Sequence, residues 1–132
     1  MYRKIAITEI TIQLKVRYNE CDSMGVVHNS VYPIWFEIGR TELLRQNGSS
    51  YKELEDIELF LVVSELHIKY KRSAKYDDNL SLRIKVGSVT NVRVKHLYEV
   101  IRENVVITSG STVIACVDRD GTVRPIPEEM RW

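Results

Sequence analysis

The sequence predicts an α+β fold in which one long helix packs against a curved antiparallel sheet of five or six strands. Two observations carry this expectation. Helical spacing of apolar residues occurs in one sustained stretch, Val31 to Asn47, and strand-like alternation dominates from Leu59 to the end. A run of strands after a single helix is the signature of α+β rather than of alternating βαβ units. One helix covers one side of such a sheet only. The simplest complete core therefore wraps the sheet around the helix and pairs a sheet edge with a second copy of the chain.

Each element has its own signal. Thr8 to Tyr18 alternates, with Ile10, Ile12, Leu14, Val16 and Tyr18 facing one way and charged or polar residues the other. In the helix the apolar positions Val31, Ile34, Trp35 and Ile38 recur at helical spacing, less cleanly as far as Leu43 and Leu44. Pro33 fits only its first turn, and Gly48 is the expected stop. Gly39 costs helix stability, and close approach to a sheet is the expected return. "SSYKELEDIEL" is a loop or short helix. Four strands follow, at Leu59–Lys71, Leu80–Val86, Val92–Arg102 and Val105–Val117. "DRDG" is a tight turn, and Pro125 and Pro127 confine any last strand to an edge.

Composition excludes several classes of function. At 132 residues, one domain spanning 1–132 is expected. A net charge of +1 gives no basic footprint for nucleic acid or a polybasic membrane anchor. No apolar run reaches membrane-spanning length, and "MYRKIAITEI" lacks the apolar core of a signal peptide, so a cytoplasmic protein is expected. Cys21 and Cys116 are the only cysteines and lie far apart, which argues against a disulfide framework. His28, His67 and His96 are scattered without ligand spacing, so no metal and no bound cofactor are expected.

The stretch "YNECDSMGVVHNSVYPIWFE" joins the first strand to the helix and carries a pattern. An aromatic (Tyr18) is followed by Cys21-Asp22, two residues, Gly25-x-Val27, then Tyr32 and Phe36-Glu37. This pattern resembles the acyl-CoA thioesterases of the hot-dog fold. The resemblance is to the 4-hydroxybenzoyl-CoA thioesterase-like group, which includes the short-chain enzymes encoded beside the Tol-Pal system. "YDDNL" (Tyr76–Leu80) and "IPEEM" (Ile126–Met130) are similar to later motifs of that family, so the resemblance covers nearly the whole chain. It implies the hot-dog fold, a homodimer or homotetramer with active sites between subunits, and hydrolysis of an acyl-CoA thioester to free acid and CoA. Its rivals are hydrolysis of acyl-carrier-protein thioesters with the same residues, and a non-catalytic acyl-CoA binding module on the same fold.

The chemistry requires an activated water or direct nucleophile, a polariser for the thioester carbonyl, and a seat for the CoA arm. The resemblance assigns the first to Asp22, as nucleophile or as general base. Read from the residues alone, Asp22 is first an Asx-turn or cap in a polar loop, and it is the resemblance that makes it catalytic. The polariser is the start of the helix, whose first N–H groups are unpaired and whose dipole favours negative charge. In the family the donor is a backbone N–H seven residues past the aspartate, here that of Asn29, a residue that otherwise reads as an N-cap. Tol-Pal-type enzymes often carry histidine at this place. The present chain has His28 one position earlier, either as a catalytic group or as a loop residue with a local hydrogen bond. Tyr32 lines the acyl pocket or packs in the core. Glu37 reads as a helical carboxylate paired with Arg40 or Thr41, and Cys21 as a small packed side chain. For the CoA phosphates the candidates are Arg72 in "KYKRSAK" and Arg93 and Lys95 in "VRVKH". The basic triplet of one family branch is absent, since its place reads Thr90, Asn91, Val92. His96 falls on the inward face of its strand and reads as a core histidine.

Overall fold

The structure is a computed structural model that describes residues 7–130. The elements run β1 (Glu9–Lys15), a 3-10 turn (Tyr18–Glu20), α1 (Val31–Gln46), α2 (Tyr51–Asp56), β2 (Phe60–Tyr70), β3 (Asn79–Val89), β4 (Arg93–Arg102), β5 (Val105–Val117) and a second 3-10 turn (Glu128–Met130). All neighbouring strand pairs are antiparallel, in the order β1-β3-β4-β5-β2. Among the described residues the sheet has five strands, with α1 lying across one face. This is the α+β arrangement expected. The ladders slip at Val63/Glu65 in β2, Val86/Val89 in β3 and Val100/Ile101 in β4. Such irregularities bend strands and increase twist, which lets a small sheet curl around a helix.

The buried face of α1 is Val31, Tyr32, Trp35, Phe36, Gly39, Arg40, Leu43 and Leu44. Its phase departs slightly from the sequence pattern. Ile34 and Ile38 are 56% and 46% exposed, because the helix turns its aromatic edge, not its isoleucines, onto the sheet. Leu80, Leu82 and Ile84 of β3 form the matching floor and are fully buried. Gly39 makes the close approach possible. A Cβ there would collide with Ile84 Cδ1 and stand 2.7 Å from Ile84 Cγ1 and 3.0 Å from Leu82 Cδ2. Gly39→Ala is expected to destabilise the fold by about 1–3 kcal/mol through overpacking, outweighing the roughly 1 kcal/mol that alanine adds to the helix. Thermal melts of Gly39→Ala and of Gly39→Ala with Ile84→Val test this, the second change recovering part of the loss.

Two further expectations change. Tyr18 is not on the inward face. β1 stops at Lys15, the chain enters the 3-10 turn, and Tyr18 stands 79% exposed, edge-on to Tyr76 with ring centroids 5.6 Å apart. β2 does not alternate between core and solvent. It is an end strand, and no residue in it is fully buried. After β5, among the described residues, only an isolated bridge, Val117 to Val123, extends the sheet, in keeping with Pro125 and Pro127.

Beneath the second half of α1 lies a polar belt. Arg40, read from the sequence as a surface partner of Glu37, is only 6% exposed. Its Nη1 donates to Tyr98 Oη at 3.1 Å, and Tyr98 Oη lies 2.6 Å from Thr112 Oγ1. Glu37 Oε2 remains 4.0 Å from Arg40 Nη2. His96 is buried beside this belt, and burial, then the Arg40 charge, pushes its pKa down to about 3. The native state therefore holds His96 neutral, while the unfolded chain protonates it below its ordinary value near 6.5. Stability is lost as pH falls from about 6.5 towards 3, by up to about 1.4 kcal/mol per pH unit. Urea melts across this range should show His96→Leu gaining on the parent protein as pH falls.

Candidate active site

The loop between β1 and α1 is a small hairpin closed by a bridge between Cys21 and Val27. Asp22 N–H donates to Val26 O at 2.9 Å, and Gly25 N–H to Asp22 O at 3.0 Å. Gly25 takes φ +80°, a conformation that side-chain-bearing residues resist, so the tight turn depends on it. The hairpin is pinned to the connection between β2 and β3 by Val27 N–H, which donates to Ala74 O at 2.8 Å.

Asp22 is exposed on this loop. Its Oδ1 accepts from Met24 N–H at 2.9 Å and lies 3.4 Å from Val26 N. The Asx-turn is therefore present, and it occupies one oxygen only. Oδ2 has no hydrogen-bond partner among the described residues. Structural and chemical uses of this carboxylate are compatible.

The helix N-terminus follows within a few residues. Ser30, not Asn29, is the residue preceding α1, and it makes no side-chain cap. Asn29 is held by its carbonyl, which accepts from Tyr70 Oη at 3.0 Å. The Asn29 N–H has no acceptor among the described residues, so it stands as an unused donor at the positive end of a sixteen-residue helix. His28 Nδ1 accepts from Ser30 N–H at 3.1 Å and lies 2.7 Å from Ser30 Oγ. These contacts place the proton of the neutral ring on Nε2.

Asn29, Tyr32 and Arg72 line one cleft of about 210 Å³, with Val27, Tyr70, Lys71 and Ser73. Tyr32 is 2% exposed, and its phenol pKa is raised by burial. Its ring meets Trp35 and Tyr70 edge-on, with centroids 5.0 and 5.4 Å away. Tyr32 thus packs in the core and lines this cleft as well. Arg93 and Lys95 are exposed on β4 and do not line this cleft. Their strand presents Val94, His96 and Tyr98 towards α1, which puts the odd-numbered residues on the opposite face of the sheet. Cys21 is partly buried against the core, its Sγ directed at Arg17 O.

Two contacts that shape the loop leave no trace in the sequence pattern. Glu20 accepts from the indole N–H of Trp35, and Tyr70 reaches from β2 to Asn29. Both join residues far apart in the chain, and no local periodicity announces them. No three His, Cys, Asp or Glu side chains converge among the described residues. No helix among them is long and apolar enough to cross a membrane.

A single strand-loop-helix unit thus carries an exposed carboxylate on its hairpin and an unpaired backbone donor at an aromatic cleft, on a helix wrapped by a curved sheet. Residues 16–131 match the model of the thioesterase-like superfamily, and the chain belongs to that family. Among its relatives is the acyl-CoA thioesterase YbgC of Haemophilus influenzae, 32% identical over 121 residues that cover 89% of this chain and 88% of the relative. A solved structure from Aquifex aeolicus superposes with a TM-score of 0.87 at 28% identity, covering 91% of this chain and 94% of the other. The DHNA-CoA thioesterase of Staphylococcus aureus superposes with a TM-score of 0.84 at 30% identity, covering 91% of this chain and 80% of that one. The hot-dog architecture expected from the motif is therefore the fold observed.

Proposed function

We propose that the protein hydrolyses acyl-CoA thioesters, with Asp22 as nucleophile or general base and the Asn29 N–H as carbonyl polariser. The observation that carries this reading is the unpaired Asn29 N–H at the N-terminus of α1, on the same short loop as a carboxylate with one free oxygen. In the general-base route Asp22 takes a proton from water as its oxygen adds to the thioester carbon. In the nucleophilic route Asp22 attacks, CoA leaves as thiolate, and water then cleaves the mixed anhydride. In both routes negative charge grows on the carbonyl oxygen before the C–S bond breaks. A donor aimed at that oxygen is worth about 3–4 kcal/mol in such sites. The reaction consumes only water, so no cofactor enters it. Lys71 and Arg72 at the cleft mouth are the cations placed to meet a CoA phosphate. His28 offers Nε2–H as a further donor.

The proposed acting form has a second copy of the chain on the free edge of β2. Val63, Leu66 and Tyr70 lie on the helix side of this end strand and remain 49%, 42% and 50% exposed, an apolar strip left uncovered by α1. At the other end of β2 from Asn29 opens a cleft of about 440 Å³, lined by Glu37, Arg40, Tyr51, Glu55 and residues 59–63. Antiparallel pairing of β2 with its twofold mate brings this acid-rimmed cleft against the Lys71–Arg72 end of the other subunit, so each acyl chamber draws walls from both.

A colorimetric thiol-release screen over short, long and aromatic acyl-CoAs tests the activity, with at least one substrate expected at kcat/KM of about 10⁴ M⁻¹s⁻¹ or higher. Turnover confined to acyl-carrier-protein thioesters would move the reading to that substrate. CoA binding with no turnover on either would leave a binding module.

A further inference from the structure

The exposed loop that carries Asp22 is tied at three points by one residue, Glu20. Glu20 Oε1 accepts from Arg17 N–H at 2.7 Å, where the chain leaves β1. Glu20 Oε2 accepts from Trp35 Nε1–H at 3.0 Å. Its backbone carbonyl accepts from His28 N–H at 2.9 Å. A single residue thus grips the start of the loop, its end, and the first turns of α1. Trp35 is only 2% exposed and packed against Tyr32, so its indole is a fixed anchor. Both Glu20 oxygens face N–H donors, an arrangement that a carboxylate satisfies and a carboxamide does not.

We propose that Glu20 is a positioning residue. Anchored by Trp35, it fixes Asp22, two residues on, against Asn29, one residue past His28. The inference rests on the thioesterase reading given above. Misplacement of a reacting group by about 1 Å costs on the order of 10²-fold in rate, which is the scale on which loss of this anchor should act.

The test is a double-mutant cycle read on the best acyl-CoA substrate. Trp35→Phe removes the donor and keeps an aromatic ring. Glu20→Gln keeps the shape but turns an NH2 group towards one of the two donors. Each single change is expected to lower kcat by about 10- to 100-fold, with KM within about threefold of the parent. In the double variant the NH2 group can face the phenyl ring while the amide oxygen keeps Arg17 N–H. Its kcat is therefore expected to be no lower than that of the worse single variant, the non-additivity of two groups that act as one. The pH dependence of kcat/KM should keep its midpoint in Glu20→Gln.

The proposal is overturned if the singles keep kcat within about threefold, if their losses multiply, or if Glu20→Gln removes an ionisation from the profile and so makes Glu20 the acid–base group. Should Trp35→Phe fail to fold, Glu20→Asp replaces it. One methylene shorter, it reaches Arg17 or Trp35 but not both, and is expected to show the same kcat loss at unchanged KM. Wild-type-like kcat there sinks the idea. Asp22→Asn separates the two levels of inference: if it is inactive while Glu20→Gln is fully active, only the positioning role falls, and if it is fully active, the thioesterase mechanism falls first.

Discussion

Asp22→Asn is expected to lower kcat by about 10³-fold or more while leaving CoA binding within a few-fold of the parent. General-base catalysis contributes about 10²–10⁴, and a nucleophilic role would cost at least as much. The substitution is unusually clean here. The carboxamide it introduces keeps a side-chain oxygen to accept from Met24 N–H, so the Asx-turn that shapes the hairpin survives. What is lost is charge and the free oxygen, not the loop. Steady-state kinetics, with CoA affinity followed by calorimetry, separate these terms. Near-parental turnover in Asp22→Asn would remove the carboxylate from the mechanism.

Leu66→Asp is expected to convert the protein to monomers and to reduce activity by about 100-fold or more, the scale of a displaced site wall. Leu66 sits near the middle of β2, on the uncovered side, 42% exposed in a single chain. Pairing two β2 strands would bury it, and a carboxylate there would be buried without a partner, at a cost of roughly 3 kcal/mol or more per interface. Light scattering coupled to size exclusion, run beside the thiol-release assay, reads both effects. Two results would contradict the shared-site reading: a parent protein that is monomeric and fully active, or a Leu66→Asp monomer that keeps its rate.

How legible this molecule is from its sequence depends on the range over which each signal acts. The helix ends and the turns at Gly48 and Gly121 follow from short-range patterns and stand within about a residue of where those patterns put them, as do β4 and β5, while β3 runs past the expected Val86 to Val89. Asp22 and Asn29 are proposed through the resemblance of a motif that spans a few residues. Arg40 escapes such patterns because a helical arginine next to a glutamate looks like a surface pair. Its burial is decided by Tyr98, fifty-eight residues away on β4. The phase of α1 is hidden for a related reason. Gly39 lets the helix sink onto Ile84, and that contact, not the tally of apolar residues, selects the buried face. Glu20 is visible as an acid near a glycine, but its partner Trp35 is known only once the loop has closed.

That closure has a bearing on how such a protein can change over time. The hydrogen bonds that shape the Asp22 hairpin and tie it to α1 nearly all fall between Arg17 and Trp35, and those to the rest of the sheet run mainly through backbone atoms. The walls of the larger cleft come instead from Tyr51 to Val63 and the middle of α1. Under the proposed reading, reactivity and acyl choice are thus written in separate paragraphs of the chain. Exchange of the segment around residues 51–63 between relatives offers a route to new substrates that leaves the bond-breaking apparatus untouched.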